Sequence, residues 1–306
     1  MPAGRMKRMN SAIKYLFVLL LLFASCEKAP IDDDVDDGKQ EQPGDSGDKD
    51  ANVRVRVVQV EGASNLDERF SRLEIAVYNT EKRLKTIHQL RGETSFGEAG
   101  IRLSEGSYRL VVIGHSSNDS PTMTTPEKIH FTNAMGYTDT YYYYEAFTVG
   151  DQPIEKNVAL AKASTTLRVV STDPKTAEAK KLRIYYTGGS GELDATTGYG
   201  TVASRQTVML SLPDSLTGHP VQFNAYTFLH AEEGLLNVTI TTYDENDGTI
   251  MEYTTDDIVL SRTDTLELRG PLFSTVPVDP DTATTTSSSA SVTINGQWAG
   301  YLHYSY

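Results

Sequence analysis

Cys26 is the only cysteine among 306 residues, and its neighbours give its thiol a chemistry. Phe23-Ala24-Ser25 precede it and close an apolar run from Tyr15 to Phe23. Ahead of that run stand Arg5, Lys7, Arg8 and Lys14, with no acidic residue. A basic start, a short apolar stretch and small residues before a cut site make a secretory signal peptide. The stretch is too short to cross a bilayer core, which takes about 20 apolar residues. A cysteine directly after the small residues is an acceptor for acylation, so Cys26 is the expected lipidation site and residues 1–25 the expected signal peptide. Phe23 stands where Leu is more usual. The alternative, an ordinary signal peptide followed by a free thiol, would leave that thiol unpaired and reactive.

No other constellation reaches the standard of a catalytic or metal site. The histidines, His88, His115, His130, His219, His230 and His303, are scattered, with no pair at ligand spacing. Asp244-Glu245-Asn246-Asp247-Gly248 begins like a calcium loop, but Thr249 stands where the EF-hand bend requires glycine. Gly188-Gly189-Ser190-Gly191 lacks the Lys-Ser/Thr of a phosphate loop and reads as a flexible turn. There is no Gly-x-Ser-x-Gly elbow. The chain therefore reads as a non-enzyme, with no cofactor and no metal.

Charge narrows the partners. The whole chain carries −13, and residues 1–25 hold four basic and no acidic side chains, so the remainder carries −17. Such a surface gains no counterion-release term from phosphates, which excludes nucleic acid. It is equally ill-suited to anionic lipid headgroups. With Cys26 acylated, no thiol remains for a disulfide, and stability must come from a hydrophobic core.

The elements behind these residues are strands. Residues 26–50 are charged and nearly devoid of apolar side chains, an expected disordered tether. Within it, Ile31–Asp37 forms an acidic cluster, read either as a solvating charge run or as similar to the acidic export signals of Bacteroidales surface lipoproteins. Alternation of period two starts at Val53, Val55 and Val57 and returns at Leu73, Ile75 and Val77, each read as a half-buried strand. Ile101–Leu103 and Tyr108–Ile113 read as two strands joined by a turn. Further strands are expected at 141–147, 154–160, 166–170, 182–186, 208–212 and 221–228. Residues 236–243 and 249–253 flank a Gly-containing hairpin turn, and 258–260 and 265–268 close the series. Apolar residues nowhere keep helical spacing beyond about two turns. The expected fold is all-β: an N-terminal sandwich over 51–161 and a C-terminal sandwich over 162–273.

Four stretches carry a family resemblance. They are Arg72–Asn79, Leu103–Gly114, Val158–Ala163 and Thr265–Phe273, in that order behind the lipidation signal. Together they resemble the FimB-like family of Bacteroidales fimbrial subunits, lipoproteins built from two tandem transthyretin-like β-sandwiches. The resemblance implies assembly by strand exchange, in which an extended segment of one subunit completes a sheet of another. It also implies that anchoring members keep their lipid. Stalk members lose their first strand to an arginine-specific protease acting in the loop that follows it. Here that loop, 61–70, contains Arg69, with Arg72 just beyond, and both are candidate cleavage sites; unremarkable exposed arginines are the plainer reading.

Residues 274–290 form a Ser/Thr/Pro-rich linker, and 291–306 hold an Asn-Gly turn among β-formers, an expected terminal strand or hairpin. That tail either packs back in cis or is donated in trans. Asp281-Thr282-Ala283 fits the short pattern that this bacterial group O-glycosylates, making Thr282 a candidate site. Tyr141, Tyr142, Tyr143 and Tyr144 lie in one strand, so two of them are expected to be exposed, a candidate aromatic contact surface. The expected protein is a surface-exposed outer-membrane lipoprotein, the base of a fimbrium supporting adhesion or biofilm formation. Its expected partners are other fimbrial subunits, the outer membrane through its lipid, and surface glycans or proteins. The alternative is a monomeric surface glycan-binding lipoprotein.

Overall fold

A computed structural model describes residues 50–63 and 65–274. Cys26, the tether before residue 50, Thr282, the linker and the 291–306 tail lie outside the described residues. The N-terminal half runs through β1 (Val53–Val60), a single helical turn α1 (Leu66–Arg69), β2 (Arg72–Tyr78), β3 (Arg83–Leu90), β4 (Glu98–Ile101) and β5 (Gly106–His115). It continues with β6 (Thr122–Thr125), β7 (Lys128–His130), β8 (Tyr141–Val149) and β9 (Ile154–Lys162). The C-terminal half holds β10 (Thr165–Ser171), β11 (Lys181–Thr187), β12 (Glu192–Asp194), β13 (Tyr199–Gly200) and β14 (Gln206–Ser211). It ends with β15 (Gln222–Thr227), β16 (Glu233–Tyr243), β17 (Thr249–Ser261) and β18 (Thr265–Gly270).

The two halves repeat one plan. In the first, β3-β2-β5-β8 packs across from β9-β1-β4, and the sheets meet where Tyr141 and Tyr142 pair with Lys162 and Ala161. In the second, β14-β11-β16-β17 packs across from β15-β10-β18. The opening strand of each half is central in its three-stranded sheet. β1 lies antiparallel to β4 and parallel to β9; β10 lies antiparallel to β15 and parallel to β18. Alternating apolar residues fill the space between facing sheets, as in Val53, Val55, Ile75, Val112 and Val158 of one core and Leu167, Leu182, Ile184, Val238 and Leu266 of the other.

A fourth sheet joins the halves. β6 and β7 interrupt the chain between β5 and β8, and β12 and β13 interrupt it between β11 and β14. They assemble as β13-β12-β7-β6, the halves meeting where Ile129 pairs with Leu193 and His130 with Glu192. Beneath it lies a third core of Tyr78, Val111, Ile113, Met123, Phe131 and Phe228, with contributions from both halves. These strands are only two to four residues long, too short for a period-two pattern to declare them.

The fold corrects several readings. β2 is not half-buried: Ala76 and Tyr78, on its outward face, are as buried as Leu73, Ile75 and Val77, because the bridging sheet covers them. The two strands expected around 101–113 are β4 and β5, joined by a turn, and because β4 pairs with β1 while β5 pairs with β2 and β8, that turn carries the chain across the sandwich. The strands expected at 249–253 and 258–260 are one strand, β17, which continues past a register shift beside Asp257, a residue with φ of 55°. β3 was not anticipated, its Arg, Lys, His and Gln masking the alternation. The glycines at 188–191 are not a flexible turn. Gly189 lies against Thr227, leaving no room for a Cβ, and Ser190 exchanges backbone hydrogen bonds with Phe228.

Candidate assembly site

β1 is the element whose fate matters for assembly, and its sequence builds it into the core. Val53 and Val55 are fully buried and Val60 nearly so, each contributing about 1.5–3 kcal/mol of apolar burial. Arg54 and Arg56 face solvent, where Arg56 Nε meets Glu98 of neighbouring β4 at 3.0 Å. The segment after β1 is pinned where it leaves the sheet. Glu61 donates its backbone N–H to Leu160 O (2.9 Å), and its carboxylate accepts from the Lys162 N–H (2.8 Å).

α1 is short but capped: Asn65 Oδ1 accepts from Asp67 N at 3.1 Å. Phe70 follows and is fully buried, its ring 5.8 Å from that of Tyr141. The end of the ring abuts Gly114, where a Cβ would come within 2.5 Å of it. Glycine at 114 is thus what lets the segment dock.

Arg69 is therefore not a bystander in an exposed loop. Its Nε donates to the Tyr141 hydroxyl at 2.5 Å, and its Nη2 pairs with Asp139 Oδ2 at 2.9 Å. Asp139 also accepts from Ser164 Oγ (2.9 Å) and lies 3.7 Å from Lys162 Nζ. Lys162 in turn donates to Thr263 O, in the turn before β18, at 3.1 Å. Burial pushes the Tyr141 hydroxyl up to about 12, Asp139 adding to the rise and Arg69 partly opposing it. One network thus ties the segment after β1 to the joint between the halves. Asp139 and Lys162 gave no signal in the sequence, because only the fold brings 69, 139, 162 and 263 together. Arg72 opens β2, paired on both sides, and donates from Nη2 to Asn118 O at 2.9 Å.

The tyrosine strand differs from expectation. Tyr141 is buried and Tyr142, Tyr143 and Tyr144 are half-buried, so none is exposed. Tyr142 and Tyr144 pack on the third core, and Tyr143 donates to Glu145 at 2.7 Å. The expected solvent face of β8 is covered by the bridging sheet. Tyr142 and Tyr144 thereby help hold the halves together, while Tyr141 and Tyr143 pack on the N-terminal core.

Sheet register also assembles a buried polar cluster invisible to residue spacing. Glu74 on β2 stands opposite His88 on β3, and His115 at the end of β5 reaches it from the other side. Glu74 Oε1 accepts from Ser120 Oγ at 2.9 Å and meets His115 Nε2 at 3.2 Å. Burial alone would raise the Glu74 carboxyl, but hydrogen bonds from His115 and His88 outweigh it and hold the group below its ordinary value. The arrangement is not a serine–histidine–carboxylate triad. Ser120 Oγ and Glu74 Oε2 both contact His88 Nδ1, whereas a serine nucleophile and its carboxylate must engage opposite ring nitrogens. Among the described residues no three potential ligands are grouped to hold a metal ion, and no helix is long and apolar enough to cross a membrane.

Free sheet edges complete the site. β18 pairs with β10 on one side only, among the described residues. Asp173 fixes the chain just beyond it, accepting from Leu272 N at 2.8 Å, Phe273 N at 3.0 Å and Ser274 Oγ at 2.8 Å.

Residues 45–300 match the family described as fimbrillin-A associated anchor proteins Mfa1 and Mfa2. Several solved structures align with the chain. The fimbrial anchor protein Mfa2 from Porphyromonas gingivalis is 15% identical over 83% of this chain and 99% of its own, with a TM-score of 0.46. A fimbrial assembly protein from Parabacteroides distasonis is 12% identical over 72% and 90%, with a TM-score of 0.37. A candidate polysaccharide-binding protein from Bacteroides thetaiotaomicron is 11% identical over 82% and 98%, with a TM-score of 0.46. No curated protein sequence matches.

Proposed function

The chain belongs to the family of fimbrillin-A associated anchor proteins Mfa1 and Mfa2, and from that premise we propose that it is the lipid-anchored base subunit of a fimbrium. A fimbrial or adhesin-like role at the cell surface follows from the family. The finer reading rests on one observation: β1 is a core strand, and the segment after it is locked by Arg69. Cleavage after an arginine needs an extended, accessible backbone and a free guanidinium. Arg69 sits in a helical turn with its guanidinium held by Tyr141 and Asp139, and Arg72 is already inside a sheet. β1 and Cys26 then stay on one polypeptide, and the acyl chains hold the whole subunit to the membrane.

A retained first strand fills its own sheet, so the subunit has to offer another edge to its neighbours. The outer edge of β18 suits strand addition, through backbone hydrogen bonds plus pockets for alternate side chains. The 291–306 tail leaves from a point fixed by Asp173, and the chain before it spans at most roughly 50 Å, enough to reach its own β18 or a neighbour. Thr282 glycosylation would lie on that connection.

The test is the mature N-terminus of filament-associated protein from a Bacteroidales host, read by intact mass. Acylated Cys26 at the N-terminus is expected, with Cys26→Ala releasing the protein from the outer-membrane fraction. Filament-associated protein that begins after Arg69 or Arg72 would make it a stalk subunit and overturn the proposal.

A further inference from the structure

At one end of the N-terminal sandwich the chain builds a cleft of about 350 Å³. Ser71 and Arg72 of the β2 end, Leu90 and Arg91 of the β3 end, and residues 116–118 after β5 line it. We propose that this cleft binds an acidic saccharide, gripping its carboxylate or sulfate between Arg72 and Arg91.

The charge arrangement is the first argument. The sequence holds 41 acidic against 28 basic residues, so a cation here easily finds a carboxylate. Arg56, Arg69, Arg109, Arg183, Arg262 and Arg269 each do. Arg72 and Arg91 face none among the described residues; Arg54, Arg83 and Arg205 also lack one, but Arg72 and Arg91 line one cleft. Of the acidic residues near the lining segments in sequence, Glu68, Glu74, Glu93 and Asp119, none lines the cleft. The buried Glu74 carboxylate beyond it is screened by His88 and His115. Both arginines line the same cleft, and an anion bound there would meet positive charge that no carboxylate already neutralises.

Preorganisation is the second. Arg72 donates to Asn118 O at 2.9 Å and Arg91 Nε donates to Phe70 O at 3.1 Å, so both stems are fixed by backbone carbonyls. That leaves both Nη groups of Arg91 and most donors of Arg72 for a ligand, in the fork geometry that matches a carboxylate or sulfate. The cleft floor is equally fixed: Ser71 N donates to Ser116 Oγ at 3.1 Å and Ser117 N to buried His115 at 3.2 Å.

Size and lining select the carrier. The volume reaches the range of small-ligand sites and far exceeds one oxyanion. Around the guanidiniums stand serine hydroxyls and the exposed Asn118 amide, groups that complement sugar hydroxyls. No aromatic ring lines the cleft, so ring stacking adds nothing and charge decides the specificity.

Calorimetric titration of the lipidated chain in detergent, at low salt, tests this with three probes. They are a glucuronate-containing disaccharide, the same disaccharide with its carboxylate reduced to the alcohol, and inorganic sulfate. The acidic disaccharide should bind at least tenfold more tightly than either of the others. Arg91→Gln and Asn118→Asp should each lose at least tenfold without a change in melting temperature. Asn118 is exposed, so its variant carries the test if Arg91→Gln fails to fold. Equal affinity for the reduced disaccharide, or for sulfate alone, overturns the saccharide assignment. Absence of binding, or binding indifferent to Asn118→Asp, overturns the site.

Discussion

Replacing Asp139 by alanine should unlock the segment after β1 and expose Arg69 to proteolysis. The carboxylate serves Arg69, Ser164 and Lys162, with side-chain exposures of 22% for Asp139, 35% for Arg69 and 14% for Lys162. Its loss leaves two partly buried cations without their anion. Breaking a fully buried pair costs about 3–5 kcal/mol, and an exposed pair is worth about 0–1 kcal/mol. Intermediate exposure places this change at about 2–3 kcal/mol, a discount for solvent screening on the Arg69 side. Tyr141 still accepts from Arg69, so the cost falls on local opening more than on the global fold. When opening is fast relative to cleavage, the rate follows the open population, and about 2–3 kcal/mol makes cutting roughly 30- to 160-fold faster. The assay is limited digestion with an arginine-specific protease, the first cut located by mass spectrometry. Wild-type protein should resist at 69, and Asp139→Ala should be cut there first. Cleavage of wild type after Arg69 at a rate within threefold of the variant would refute the idea that this network protects the strand.

Two further outcomes follow from buried contacts. The Glu74 carboxyl is held below its ordinary value, so its stabilisation is fully present above about pH 4.5 and is lost as pH falls through the lower folded-state value. Urea midpoints should therefore drop more steeply for wild type than for Glu74→Gln between about pH 5 and about pH 3, with the variant weaker near neutrality by about 1–3 kcal/mol; parallel acid limbs would contradict the assignment. In the bridging sheet, Leu193 and Ile129 are fully buried cross-strand partners from different halves. Leu193→Ala and Ile129→Ala should each cost about 2–4 kcal/mol in chemical denaturation. Their double mutant should fall short of additivity by at least about 0.5 kcal/mol, while strict additivity would mean the two side chains do not share a cavity.

Long strands with one solvent-facing side were legible because period two writes itself into the residues. β1, β11 and β18 show that pattern plainly, and the glycine-containing turn between β16 and β17 fell where the hairpin is. β3 was hidden by its polar side chains. β6, β7, β12 and β13 were hidden by their brevity. The tyrosines of β8 misled for a physical reason: alternation predicts which residues share a face, but not whether a second layer covers that face.

The acidic character and the all-β class were already written in the sequence, as was the resemblance to a fimbrial family, and Cys26 is there an expected acylation site. All of these are local or compositional properties. Only the tertiary structure decided that Arg69 is clamped by Asp139 and Tyr141, that Glu74 gathers two histidines, and that Arg72 and Arg91 share a cleft. Each of those groupings joins residues that are distant in sequence, brought together by sheet register and by a fourth sheet drawn from both halves. Spacing along the chain carries no record of register, because pairing is set by which faces bury together.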